Sequence, residues 1–159
     1  MILVTLGSQD KPFNRLLEKI EEQIKKGNIK DEVVVQAGFT KFSDKYMKIL
    51  GLVDREEFQR LIGECNLLIT HGGVGSILNA LSQNKKVIAV PRLAKYGEVL
   101  NDHQIQIVDN FAKEGYILSC HDDDDLGNIL KKVEKFKPNK IKSNTDKMVS
   151  LIEDFIEHN

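Results

Sequence analysis

Short apolar runs alternate with amphipathic helical stripes from one end of this 159-residue chain to the other, and that alternation leaves few folds open. Residues 2–6, 32–36, 48–53, 67–70, 86–90 and 116–118 read as strands, and residues 12–26, 55–64, 76–83, 101–113 and 123–136 as helices. In the first helix Phe13, Leu16, Leu17, Ile20 and Ile24 form one stripe, with Pro12 suited to a first turn. A last amphipathic helix is expected at 144–158 through Met148, Leu151, Ile152, Phe155 and Ile156, as a docking element or, more simply, as core. Strands interleaved with helices require mostly parallel pairing with both sheet faces covered. The expectation is an α/β, Rossmann-like, mostly parallel sheet forming one domain over residues 1–159.

In open sheets of this kind ligands bind beyond the carboxyl ends of the strands. Gly7-Ser8-Gln9, Gln36-Ala37-Gly38, the turn at 71–76 and the stretch 92–103 all follow strands, so the unusual polar residues gather on one edge. Within the turn Thr70-His71-Gly72-Gly73-Val74-Gly75-Ser76, three glycines in four positions let backbone approach a ligand without Cβ obstruction. The first-turn amides of the following helix then face outward and attract an anion such as a diphosphate. Ser76 adds a hydroxyl, His71 a neutral or charged donor, and Asn79, three residues on, shares the face of Ser76 and could reach a ribose diol. Taken singly, Ser76 is an ordinary N-cap and the glycines a tight turn; the combination favours a ligand. A second polar cluster, Asn101-Asp102-His103-Gln104, can read sugar hydroxyls, although each residue alone fits an exposed helix start.

Other functional classes find little support. The charge balance of −1, 6% aromatics and no Trp give neither a basic footprint nor a stacking surface for nucleic acid. Cys65 and Cys120 lie far apart in no metal-type spacing, which fits a reducing compartment. The acidic run at 122–125 reads as an N-cap and first turn rather than a metal site, and the Lys-rich stretch at 131–142 as a solvated face, with weak attraction to anionic lipid as the alternative. No secretory leader or window of roughly 18 apolar residues is present, so a cytoplasmic location is expected. A dinucleotide oxidoreductase is disfavoured, because no G-x-G-x-x-G follows the first strand.

Several segments together carry a resemblance: Val4 through Gln9 with Pro12-Phe13, Gln36-Ala37-Gly38, Thr70 through Ile77, Val90-Pro91-Arg92, Lys95-Tyr96-Gly97-Glu98 and Asn101 through Gln104. On these the chain resembles the C-terminal, donor-binding half of MurG-like glycosyltransferases of family 28, a half of the GT-B fold. It is similar in particular to stand-alone soluble subunits of two-component transferases, with the Lys-Tyr-Gly-Glu segment pointing toward bacterial capsule and exopolysaccharide enzymes. The resemblance implies inverting transfer from a UDP-sugar without metal or cofactor to a lipid-linked acceptor, beside a membrane-anchored partner at the inner face. It implies phosphate-side contacts from Gly7, Ser8 and Gln9, diphosphate contacts from His71, Gly73, Gly75 and Ser76, and the uracil near Val53. Asn79 stands where relatives often carry an acid for the ribose, and Asp102, His103 and Gln104 would contact the sugar. The base is expected from the partner, with His71 and Asp10 as local candidates. Lys95 and Tyr96 are open between an ordered loop, a partner surface and an acceptor contact. A non-enzyme alternative is a regulatory subunit that binds nucleotide-sugar without turnover.

Overall fold

Alternate residues of each central strand enter different cores, as the two-residue period of a strand covered on both faces demands. The computed structural model describes residues 1–140; the helix expected at 144–158 lies outside them. Six parallel strands, β1 (Ile2–Thr5), β2 (Val33–Gln36), β3 (Lys48–Leu50), β4 (Leu67–Thr70), β5 (Lys86–Ala89) and β6 (Leu118–Ser119), pair in the order β3-β2-β1-β4-β5-β6. Ile2, Val4, Val33, Val35, Leu67, Ile69 and Ile88 face a core shared with α1 (Asn14–Lys25) and α5 (Leu126–Lys135). Leu3, Val34, Leu68, Val87 and Ala89 face a second core with α2 (Arg55–Glu64), α3 (Val74–Ser82) and α4 (His103–Lys113). Each fully buried aliphatic side chain in these layers contributes about 1.5–3 kcal/mol.

The element types agree with the sequence expectations, and the differences sit at ends where side chains redirect the backbone. Helix α3 begins at Val74, two residues before the expected Ser76, so Gly75 and Ser76 belong to its first turn. Helix α4 begins at His103 rather than 101, because the Asn101 Oδ1 accepts from the His103 amide at 3.0 Å and Asp102 turns away. Strand β3 stops at Leu50, with a bend following at Leu52, and β6 falls at Leu118–Ser119 instead of 116–118. The acidic run divides by role: Asp124 accepts from the His121 amide at 2.8 Å, Asp125 caps α5 through the Gly127 amide at 3.0 Å, and Asp122 pairs with Tyr96 and Lys95. Among the described residues no group of three or more His, Cys, Asp or Glu is placed to hold a metal, and no helix is long and apolar enough to cross a membrane.

Strand order reverses between β1 and β4, where Thr5 and Thr70 lie opposite each other at the carboxyl ends. Their buried hydroxyls share a hydrogen bond of 2.6 Å, and the Thr70 hydroxyl also reaches the Thr5 carbonyl at 3.4 Å, in the space between two diverging loops. That divergence is where a crevice opens in a sheet of this topology.

Candidate functional site

The chain leaves β1 through Leu6 and Gly7, whose φ of +81° suits glycine. A Cβ on Gly7 would lie 2.6 Å from the His71 Nε2, and a Cβ on Gly73 would collide with the same ring. His71 therefore lies wedged between two backbone segments, 6% exposed, its amide donating to the Thr5 carbonyl at 3.3 Å. Burial, reinforced by the nearby Arg92 cation and opposed by the Gln104 side chain, holds its pKa down to about 4. At neutral pH the ring is uncharged. This narrows the sequence reading of a neutral or charged donor to the neutral one, and makes His71 a poor proton acceptor from a substrate hydroxyl.

Beyond the wedge, Gly73 caps α3 without any side-chain bond, so the amides of Val74, Gly75 and Ser76 have no carbonyl of their own helix to bond. Gly75 is exposed and a Cβ on it would meet nothing within 4 Å, while Ser76 is half-buried. These amides open into a cleft of about 580 Å³ whose wall includes Gly7, Ser8, Gln9, His71, Gly75, Ser76, His103 and Gln104. A second hollow of about 270 Å³ shares Gly7, Ser8 and Ser76 with it and continues along Gln36, Val53 and Phe58. The two lie side by side around the α3 N-terminus, and the larger one has the size of a small-ligand site.

Most of the residues singled out from sequence thus meet at one edge: Gly7, Ser8, Gln9, His71, Gly73, Gly75, Ser76, His103 and Gln104 in the larger cleft, and Val53 in the smaller. Two others do not. The Asn79 side chain accepts from the Gln83 Nε2 at 3.0 Å, one turn further down α3, and lines neither hollow. Asp102 is likewise absent from the cleft wall; its Oδ1 accepts from the Ala94 amide at 3.0 Å and so closes the loop between β5 and α4. The Gln36-Ala37-Gly38 corner serves as a buttress, with the Gln36 Nε2 donating to the Gly7 carbonyl at 3.3 Å.

Two charged residues of structural weight were not assigned a role from sequence. Arg92, 1% exposed, donates from Nη1 to the carbonyls of Lys11 (2.8 Å) and Glu98 (2.9 Å) and from Nη2 to that of Leu6 (2.6 Å). Burial lowers its pKa to about 10, with Glu98 opposing, so it stays a cation and stands 5.0 Å over the Phe13 ring. Glu98, also buried, accepts from Arg15 on α1 through both oxygens (3.0 and 3.1 Å) and from the Leu93 amide (3.0 Å). The available signal was an arginine directly after a strand-ending proline with a glutamate six residues on. Tyr96 and Lys95 belong to an ordered loop: both bind Asp122, at 2.7 and 3.0 Å, and hold its carboxyl below the usual range. Leu100, 84% exposed, stands on the cleft lip.

The architecture is that of the donor-binding half of GT-B glycosyltransferases. It superposes on the solution structure of ALG13 with a TM-score of 0.62 at 20% identity, covering 98% of this chain and 96% of that one. It also matches Acinetobacter baumannii MurG with a TM-score of 0.56 at 15% identity, over 83% of this chain and 40% of that one. In sequence, the chain is 35% identical over 75 residues to the UDP-N-acetylglucosamine transferase subunit ALG13 of Saccharomyces cerevisiae, covering 46% of this chain and 35% of that protein. To the same-named subunit of Yarrowia lipolytica it is 26% identical over 147 residues, covering 81% and 69%. Its match to the human subunit, 28% identical, covers 68% of this chain but only 8% of that protein. These relatives are eukaryotic and give no support to the bacterial capsule and exopolysaccharide branch expected from Lys95-Tyr96-Gly97-Glu98. The model of the glycosyltransferase family 28 C-terminal domain matches residues 1–158, and the chain belongs to that family.

Proposed function

We propose that this chain is the donor-binding subunit of a UDP-N-acetylglucosamine transferase that acts with a membrane-anchored partner on a lipid-linked saccharide. The observation that carries the reading is the shared opening of the α3 N-terminus and the first turn of α4 into one cleft. Helix amides stabilise the negative charge that grows on a departing diphosphate, and they do so without reorganising. The smaller hollow at Val53 and Phe58 takes the uracil, and the cleft near His103 takes the sugar. The names of the relatives support N-acetylglucosamine as the sugar.

Inverting transfer also needs a base for the acceptor hydroxyl. His71 is neutral, buried and held near pKa 4, and Asp10 is the carboxylate on the cleft wall. The base is thus Asp10 or a group on the partner, and the chain works at the cytoplasmic face through that partner. Calorimetric titration with UDP, UDP-N-acetylglucosamine, UDP-glucose, ADP and GDP tests the donor assignment. UDP and UDP-N-acetylglucosamine should bind and the purine diphosphates should not; equal affinity for all five would reject it.

A further inference from the structure

Three walls of the cleft meet at two buried side chains, Gln104 and Arg92, that tie distant backbone segments together. The Gln104 Oε1 accepts from the Gly72 amide at 3.2 Å and from the Arg92 amide at 3.1 Å. Both partners are N–H donors, so the atom facing them is the amide oxygen, and both of its lone pairs are used. Arg92 continues the tie, its guanidinium reaching the Leu6 and Lys11 carbonyls of the loop after β1. Gly72 packs directly on the glutamine: a Cβ there would lie 2.6 Å from the Gln104 Cβ and 3.1 Å from its Oε1. Absence of a side chain at position 72 thus makes room for Gln104, not for a ligand.

We propose that Gln104 is a positioning residue, whose carbonyl clips the turn after β4 to the loop after β5 and so fixes the direction of the α3 first-turn amides. The phosphate end of a donor feels this clip, because Gly72 immediately precedes the Gly73 cap of α3. The nucleoside end lies in the hollow lined by Val53 and Phe58, whose walls carry no bond to Gln104. The reading of Gln104 as a sugar contact makes the opposite demand, since it places the cost of losing the side chain on the sugar alone.

This inference rests on the UDP-sugar reading, and the experiment separates the two. Gln104→Met keeps the length of the side chain and removes the acceptor. Uridine, UDP and UDP-N-acetylglucosamine are titrated by NMR into the full chain, wild type and variant, and amide hydrogen exchange is followed at Gly72 and Arg92. UDP and UDP-N-acetylglucosamine should each weaken about tenfold and by the same factor, uridine should be unchanged, and both amides should exchange faster. Gln104→Glu, which keeps an acceptor oxygen, should restore the slow exchange. A loss confined to UDP-N-acetylglucosamine, or one shared equally by all three ligands, would overturn the proposal. If the wild type binds none of them, the donor reading fails and the exchange rates decide the clip: faster exchange in Gln104→Met upholds it, unchanged exchange rejects it.

Discussion

Glycines of one turn serve different masters here, and the distinction can be measured. At Gly73 a methyl group would meet the His71 ring, so Gly73→Ala should cost about 1–3 kcal/mol of stability. At Gly75, itself part of the cleft wall, a methyl would stand in open space. Gly75→Ala should therefore keep or raise stability, by about 0.5 kcal/mol, while weakening UDP. Urea unfolding and UDP titration of the pair check both halves; loss of stability in Gly75→Ala would contradict the open space seen there. His71 gives a pH signature. Its pKa is about 4 in the fold against an ordinary 6.5, so the unfolded chain takes up the proton first as pH falls. Its contribution is fully present above pH 6.5 and declines as pH drops toward 4, by about 3 kcal/mol over the whole interval. His71→Asn should flatten that part of the stability profile, and an unchanged slope would remove the buried neutral ring as its cause.

Helix α3 is short, nine residues, and its first turn carries no acidic side chain. An acid there is favourable to the helix dipole in isolation, by about 0.3–1 kcal/mol. Ser76→Asp should thus raise the melting temperature slightly while lowering UDP affinity at least about tenfold, because the carboxylate occupies the place proposed for the diphosphate. A variant that gained stability and bound UDP as before would separate the helix end from the ligand. Helix α4 shows the same logic in a different form. Its start is set by Asn101, its Asp102 accepts from Ala94, its Gln104 Oε1 accepts from Gly72 and Arg92, and both His103 and Gln104 line the cleft.

Across the molecule, the apolar layers lie on the two sheet faces and the polar ties lie at one edge. Arg15 links α1 to the loop after β5 through Glu98 and Pro91, so the loop bearing Leu100 is braced against a distant helix. Phe39, Leu52, Tyr96 and Leu100 are exposed large apolar residues that follow β2, β3 and β5. In the proposed assembly transfer requires the partner. The purified chain should bind UDP-N-acetylglucosamine yet transfer no sugar to a lipid-linked acceptor, and reconstitution with the partner should restore transfer. Transfer by the isolated chain would reject the two-subunit mechanism, and binding without transfer by the complete pair would favour the regulatory alternative.

Periodicity and glycine chemistry are local, and they were enough to predict the parallel sheet, the covered faces, the glycine-rich turn into α3 and the edge on which the polar motifs gather. The covered faces follow from strands interleaved with helices, with the continuous apolar run Ile2-Leu3-Val4 feeding both cores, and the turn from Gly72, Gly73 and Gly75 beside Ser76. What each polar side chain at that edge would serve was not written locally. Gln104 meets Gly72 across 32 positions and Arg92 meets Leu6 across 86, and a side chain in such a place bonds backbone or ligand according to which distant segment arrives beside it. Asn79 and Asp102 bond within their own neighbourhood and lie off the cleft wall, whereas Ser76 and His103 line it. A buried donor or acceptor must be satisfied by whatever packing brings near, so those assignments arise with the assembled fold.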